Sequence, residues 1–322
     1  MDESKYSEID LLEKKMSKIA FIFPGQGAQY IGMAKAFYDA SPETREIFRI
    51  ASEKAGYSME TLCFEENDRI NDTKYTQPAL LTACCGILKA VEAAGIKADM
   101  TAGLSLGEYS ALVASGMLSF EDAFPVVCKR GMYMEEAVPN GIGSMAAVIS
   151  RKPLPIEEVC ESIDGMVKVA NYNCPGQQVI TGEKEAVEKA SEKLVEAGAF
   201  RVVPLKVSGP FHSPMLISAG EKLRTLLNNV DFQNPTCAFV SNVTANPVSD
   251  TEEVKNLLGS QVCSSVLWQQ SMEYMIAQGV DTFIEIGPGK TLSGFMKKID
   301  RSVSMLHVET PEELKQIFNQ LK

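Results

Sequence analysis

Apolar and polar positions along the chain fall into short runs of two different periods. Lys18-Ile-Ala-Phe-Ile-Phe23 is an apolar run of strand length, and Pro24-Gly25 breaks it at once. Lys97-Ala-Asp-Met-Thr-Ala-Gly103 reads as a second short strand, and Glu108-Tyr-Ser-Ala-Leu-Val-Ala114 as the helix after it. Strand and helix patterns alternate in this way through residue 137, the order of a mostly parallel sheet covered on both faces. Val138-Pro-Asn-Gly-Ile-Gly143 then interrupts the pattern. Beyond it the expected order is strand (145–149), helix (155–160), strand (167–171), strand (178–181), helix (184–197) and strand (201–205). Ser302-Val-Ser-Met-Leu-His-Val308 alternates as a last strand would.

The βαββαβ order of residues 145–205 is that of a ferredoxin-like unit. The expected class is therefore α/β, with a larger domain formed by residues 17–138 and 208–322 and an inserted ferredoxin-like subdomain at 139–207. Residues 1–16 form a charged N-terminal extension that carries no recognisable chemistry. Residues drawn from both sides of the insertion would meet in the cleft between the two parts, the usual place for a ligand site.

Composition narrows the function. The chain has 322 residues and a net charge of −11, which argues against a nucleic-acid partner. No apolar run reaches the ~20 residues of a membrane span and no signal peptide opens the chain, so no membrane partner is expected and a cytoplasmic location is. The eight cysteines show no C-x-x-C pair and no zinc spacing, so they read as reduced packing residues and no metal is expected.

Candidate chemistry centres on Ser105. Gly103-Leu-Ser-Leu-Gly107 is a G-x-S-x-G turn between the second strand and its helix, the form of a nucleophile elbow in an α/β-hydrolase-like domain. The same spacing also suits a plain strand–helix turn packed by small residues. Serine needs a neighbouring base, most often histidine, and the chain has two. His307 lies in the last strand pattern. His212 lies on a loop bounded by Pro210 and Pro214 that restricts its conformers, and is the preferred candidate. In elbow enzymes two backbone N–H groups hold the oxyanion, one from the residue after the serine and one from a separate loop. Leu106 supplies the first, and Gln26, between Gly25 and Gly27, is the candidate for the second. Gly25 and Gly27 alone equally suit an ordinary tight turn.

Seven motifs occur in order: Phe23-Pro-Gly-Gln-Gly27, Thr76-Gln-Pro-Ala-Leu80, Gly103-Leu-Ser-Leu-Gly-Glu-Tyr-Ser-Ala-Leu112, Arg130-Gly131, Asn173-Cys-Pro-Gly-Gln177, Gly209-Pro-Phe-His212 and Glu285-Ile-Gly-Pro-Gly-Lys290. Over residues 18–301 the chain resembles the malonyl-CoA:acyl carrier protein transacylases. The resemblance implies Ser105 as nucleophile, His212 as base, the N–H groups of Gln26 and Leu106 as oxyanion donors, and Arg130 as anchor of the malonyl carboxylate. The rigid guanidinium fork matches a carboxylate bidentately, although Arg130 taken alone also suits a structural salt bridge. Phe211 before the base resembles malonyl-selective relatives, whose phenyl ring leaves little room for an α-methyl group. The implied partners are malonyl-CoA and an acyl carrier protein, with no metal or bound cofactor.

Two positions depart from the family pattern. Leu104 stands where the elbow usually has histidine, and Leu267 where glutamine often precedes Trp268. The family's base is oriented by a backbone carbonyl, expected here from residues 266–268. Gly287-Pro-Gly-Lys-Thr291 is no Walker A loop, because Ile284 stands where its first glycine would. Lys290, Lys297, Lys298 and Arg301 form a basic cluster that reads either as a solvated helix face or as a docking site for an acidic carrier or a CoA phosphate. A polyketide acyltransferase and a serine acyl hydrolase are the alternatives to the fatty-acid enzyme.

Overall fold

The computed structural model describes residues 17–139, 141–207 and 209–321. The extension read at residues 1–16 lies outside them. Two sheets organise the chain. The larger has the order β10-β9-β1-β2-β7-β8. Its strands are β1 (Ile19–Phe23), β2 (Met100–Gly103), β7 (Ala238–Val240), β8 (Pro247–Val248), β9 (Thr282–Ile286) and β10 (Ser304–Val308). The first three neighbour pairs and β2–β7 are parallel, and only the two-residue edge strand β8 runs antiparallel.

The smaller sheet is antiparallel and has the order β4-β5-β3-β6. It contains β3 (Gly143–Ile149), β4 (Val167–Cys174), β5 (Gln177–Glu183) and β6 (Arg201–Pro204), with helices Ile156–Glu161 and Lys184–Glu196 between them. This is the ferredoxin-like arrangement expected from the sequence. It forms because Ala146, Val148, Val169, Ile180, Val187 and Leu194 share one buried cluster under the two helices.

Helices cover both faces of the parallel sheet, as burial on both sides requires. On one face the main core gathers Phe21, Phe23, Leu80, Tyr109, Phe124 and Ile284. On the other, Ala20, Ile22, Trp268, Met272, Phe283 and Phe295 pack together. The alternating inward and outward positions of β1 and β9 thus feed two separate cores. Helix Phe120–Ala137 packs on helix Thr73–Ala93 and on helix Ile217–Leu227. The C-terminal ends of β1 and β2 face the second sheet across a cleft, and the site lies there.

Candidate active site

Ser105 occupies the turn between β2 and helix Gly107–Ala114, with φ of 53°. A left-handed backbone at serine costs about 1–2 kcal/mol, and side chains hold it in place. The Ser105 N–H donates to Asn242 Oδ1 at 2.7 Å, and its carbonyl accepts from Gln261 Nε2 at 2.8 Å. Asn242 Nδ2 donates to the Gly103 carbonyl at 2.7 Å, clamping the turn from its other end. Glycine is obligatory at Gly107, where a Cβ would lie 2.3 Å from the Phe23 carbonyl oxygen.

His212, itself at φ 61°, brings Nε2 to 2.7 Å from Ser105 Oγ. Its Nδ1 lies 2.8 Å from the Gln261 carbonyl. A carbonyl only accepts, so Nδ1 carries the proton and Nε2 of the neutral ring is free to accept from Oγ–H. The orienting carbonyl is therefore that of Gln261, five residues ahead of the stretch 266–268 from which it was expected. The reason is local. Gln261 ends helix Thr251–Gln261, where the last carbonyls have no intrahelical partner. Leu267, by contrast, uses its carbonyl within the next helix, accepting from Ser271. Burial, aided by the nearby Arg130 charge, lowers the His212 pKa to about 4, so the ring is neutral near pH 7.

The N–H groups of Gln26 and Leu106 have no hydrogen-bond partner among the described residues, and both residues line the Ser105 cavity. Gly25 makes their approach possible, since a Cβ there would lie 2.4 Å from the Leu104 carbonyl oxygen. Leu106 caps the helix N-terminus, whose dipole adds to the donor field.

Arg130, on helix Phe120–Ala137, is 1% exposed. No carboxylate pairs with it among the described residues. Nη1 donates to Gln77 Oε1 at 2.7 Å, and Nη2 to Gln261 Oε1 at 2.8 Å and Ser105 Oγ at 3.2 Å. Nε has no partner. A structural salt bridge is thus ruled out, and the cation is held by neutral oxygens with its edge against the nucleophile. Phe211, 6% exposed, lines the same cavity of about 220 Å³, with Met134, Asn171, Asn173 and Phe295 around it.

The structure brings together Ser105, His212, Arg130, Gln26, Leu106 and Phe211. His307 is elsewhere, on β10, where Nε2 lies 3.2 Å from the Gly287 carbonyl and Nδ1 3.3 Å from Glu313. Four residues of the site were not anticipated: Gln77, Glu108, Asn242 and Gln261. Gln77 and Glu108 lie inside motifs quoted above and had a signal. Asn242 and Gln261 have none, because only their partners distinguish them. Glu108 is 1% exposed and accepts from Asn242 N–H and Gln261 Nε2. Burial pushes its carboxyl up to about 7, against the pull of these donors and of Arg130.

A strained serine on an elbow, a neutral histidine, two free N–H groups and a buried cation at the serine oxygen define an acyl transferase, and residues 20–310 match the family described as acyl transferase domain. Within it the chain belongs to the malonyl CoA-acyl carrier protein transacylases. It is 44% identical over 311 residues to the protein of that name from Bacillus subtilis (strain 168), which covers 95% of this chain and 98% of that one. The crystal structure of the Clostridium perfringens transacylase superposes with a TM-score of 0.91 at 46% identity, over 95% of this chain and 97% of the other. A malonyl-transacylase solved in complex with its type II PKS acyl-carrier protein superposes with a TM-score of 0.92 at 37% identity, over 94% and 100%.

Proposed function

We propose that this chain transfers the malonyl group of malonyl-CoA to the phosphopantetheine thiol of an acyl carrier protein, supplying malonyl units for fatty-acid synthesis. The observation that carries the reading is Ser105 Oγ lying 2.7 Å from His212 Nε2 and 3.2 Å from Arg130 Nη2. Nε2 takes the Oγ proton as Oγ attacks the thioester carbonyl. The oxyanion is held by the N–H groups of Gln26 and Leu106. On collapse the C–S bond breaks and the imidazolium returns the proton to the CoA sulfur. In the second half-reaction the carrier thiol gives its proton to Nε2 and attacks malonyl-Ser105. The C–Oγ bond breaks and Oγ recovers the proton.

The carboxylate of malonyl-Ser105 lies three bonds from Oγ, within reach of the Arg130 edge that faces it. Acetyl-CoA would leave that buried charge unpaired, which favours malonyl. No step calls on a metal or a bound cofactor. Residues 17–138 and 208–322 supply the reacting groups and residues 139–207 the opposite wall of the cleft. Eight free thiols suit a reducing compartment, and we place the protein in the cytoplasm. Among the described residues no helix is long and apolar enough to cross a membrane.

Intact-protein mass spectrometry tests the reading. Malonyl-CoA should add one malonyl group to the protein and none to Ser105→Ala, and a holo carrier protein should remove it. Release at the same rate without a carrier would make the protein a hydrolase, an activity that has no use for Arg130. The likeness to the polyketide complex keeps a polyketide carrier as the second reading. Rates with the two kinds of carrier in the same assay separate them.

A further inference from the structure

The mechanism leaves unused a buried carboxyl that lies beside the reacting groups. Glu108 sits in the first turn of the helix after the elbow, beside the Ser241 hydroxyl, and each of its oxygens takes a hydrogen bond from a residue that grips the reacting groups. Oε1 accepts the Asn242 N–H, and Asn242 holds both Gly103 O and Ser105 N–H. Oε2 accepts from Gln261 Nε2. Gln261 is wholly buried and touches everything else: Ser105 O through Nε2, Arg130 Nη2 through Oε1, and His212 Nδ1 through its backbone carbonyl.

The Gln261 amide has a single satisfactory orientation. Its nitrogen faces two acceptors, the Glu108 carboxylate and the Ser105 carbonyl, and its oxygen faces a donor, the Arg130 guanidinium. Turned over, it would set NH₂ against Nη2 and oxygen against two oxygens, three repulsive contacts around a wholly buried side chain. We infer that Glu108 is a positioning residue that fixes the Gln261 amide with its oxygen toward Arg130, and so sets the preference for malonyl over an uncharged acyl group. The inference rests on the assignment of Arg130 as the malonyl anchor.

The ionised form, present above about pH 7, accepts from both Asn242 N–H and Gln261 Nε2. The isosteric Glu108→Gln has one acceptor end and one NH₂ end. If the acceptor end keeps Asn242, the NH₂ meets Gln261 Nε2, and that clash is relieved by turning Gln261 over. Arg130 Nη2 then loses its Gln261 acceptor and keeps only Ser105 Oγ, so the edge that receives malonyl is held less firmly. The acetyl half-reaction uses the same serine, histidine and oxyanion donors but no carboxylate contact, so the malonyl:acetyl ratio cancels whatever both substrates lose when Gln261 Nε2 leaves the Ser105 carbonyl.

The test is acylation of the full-length protein by malonyl-CoA and by acetyl-CoA, each read as kcat/KM in the wild type, Glu108→Gln, Gln261→Met and the double variant, with Arg130→Ala alongside. Glu108→Gln should lower the malonyl:acetyl ratio about 10- to 100-fold, the worth of a hydrogen bond to a charged group. Gln261→Met keeps the carbonyl that holds His212 and should lower the ratio by a similar factor even if Glu108→Gln fails to fold. The double variant should show no further loss, since Glu108 acts through Gln261. Equal losses for the two substrates, or losses that multiply in the double variant, would overturn the inference. If Arg130→Ala lowers the ratio while Glu108→Gln and Gln261→Met do not, only the role of Glu108 falls. An unchanged ratio in Arg130→Ala removes the anchor reading and this inference with it.

Discussion

At the scale of a residue the proposed mechanism makes opposite demands of His212: it must be basic enough to take the Ser105 proton yet stay uncharged while waiting. Burial beside Arg130 lowers its pKa to about 4, from 6.5 in the unfolded chain. The acid limb of acylation by acetyl-CoA should therefore lie near pH 4; a limb near pH 6.5 would mean an exposed ring. Acetyl-CoA is the substrate to use, because malonyl-CoA brings in Glu108 through Gln261 and Arg130. Stability is a poorer readout. Between pH 6.5 and 4 the unfolded histidine takes a proton that the folded one refuses, so His212 costs stability as pH falls. Glu108, raised to about 7, takes a proton in the folded state that the unfolded chain does not bind until about pH 4.5, so it adds stability over nearly the same range. The two largely offset each other in a melting curve. His212→Ala should slow malonyl transfer by a factor on the order of 10²–10⁴ without unfolding the chain. A loss as large in His307→Ala would reverse the choice between the histidines. Ser105 and His212 were legible because each sits in a motif of fixed spacing beside a turn. Gln261 was not, since a glutamine ending an amphipathic helix looks like any surface residue until its contacts with Ser105, Glu108, Arg130 and His212 are seen.

At the scale of elements, the elbow works because β1 and β2 end side by side, Phe23 opposite Gly103, so the loops beyond them touch. Gly107→Ala would drive a methyl group against the Phe23 and Pro24 carbonyls, 2.3 and 2.8 Å away. The end of β1 must then shift, and Gln26 with it. We expect a loss of roughly 1–3 kcal/mol in denaturant unfolding, together with slower transfer by about 10²-fold or more, the worth of one oxyanion donor. Unfolding without a further catalytic loss in the folded fraction would place Gln26 outside the oxyanion site. The loop between Val207 and Pro214 makes a second contribution through Phe211, which walls the cavity beside the base. Phe211→Ser should narrow the kcat/KM gap between malonyl-CoA and methylmalonyl-CoA, by no more than the roughly 1–3 kcal/mol that one methyl group commands in an apolar pocket. Equal use of both substrates by the wild type would leave Phe211 without that role. The βαββαβ unit was readable to within a few residues, because its strands alternate and its helices carry apolar stripes. The strands β7 and β8 were not: three and two residues are too few to show a period. Nor was the order of the parallel sheet, which depends on pairing between strands up to about 260 residues apart.

At the scale of the whole molecule, the proposed catalytic pair is assembled across a junction between two sheets. Ser105 and Arg130 precede the inserted segment in sequence and His212 follows it, so the serine and the histidine meet only if the insertion returns the chain to one place. Its two ends are fixed to each other: a Cβ on Gly143, at the start of β3, would lie 2.3 Å from the Pro210 ring. The segment that cradles His212 is fixed to the insertion too. His212 N–H donates to the Val262 carbonyl at 3.0 Å and Nδ1 to Gln261, and a few residues on Ser265 and Val266 bond to β4, through Ser265 Oγ to Val169 O at 2.7 Å and Val266 N–H to Ala170 O at 2.8 Å. The smaller sheet is thus bonded to the segment that holds His212 as well as walling the cleft. Gly143→Val should push Pro210 aside and carry His212 away from Ser105 while leaving the elbow, Arg130 and the oxyanion donors in place. A displacement of about 1 Å is enough to slow transfer on the order of 10²-fold. The loss should appear in acylation by malonyl-CoA and acetyl-CoA alike, since it strikes the base and not the anchor. Unchanged acylation in a folded Gly143→Val protein would show that the smaller sheet walls the cleft without placing the histidine.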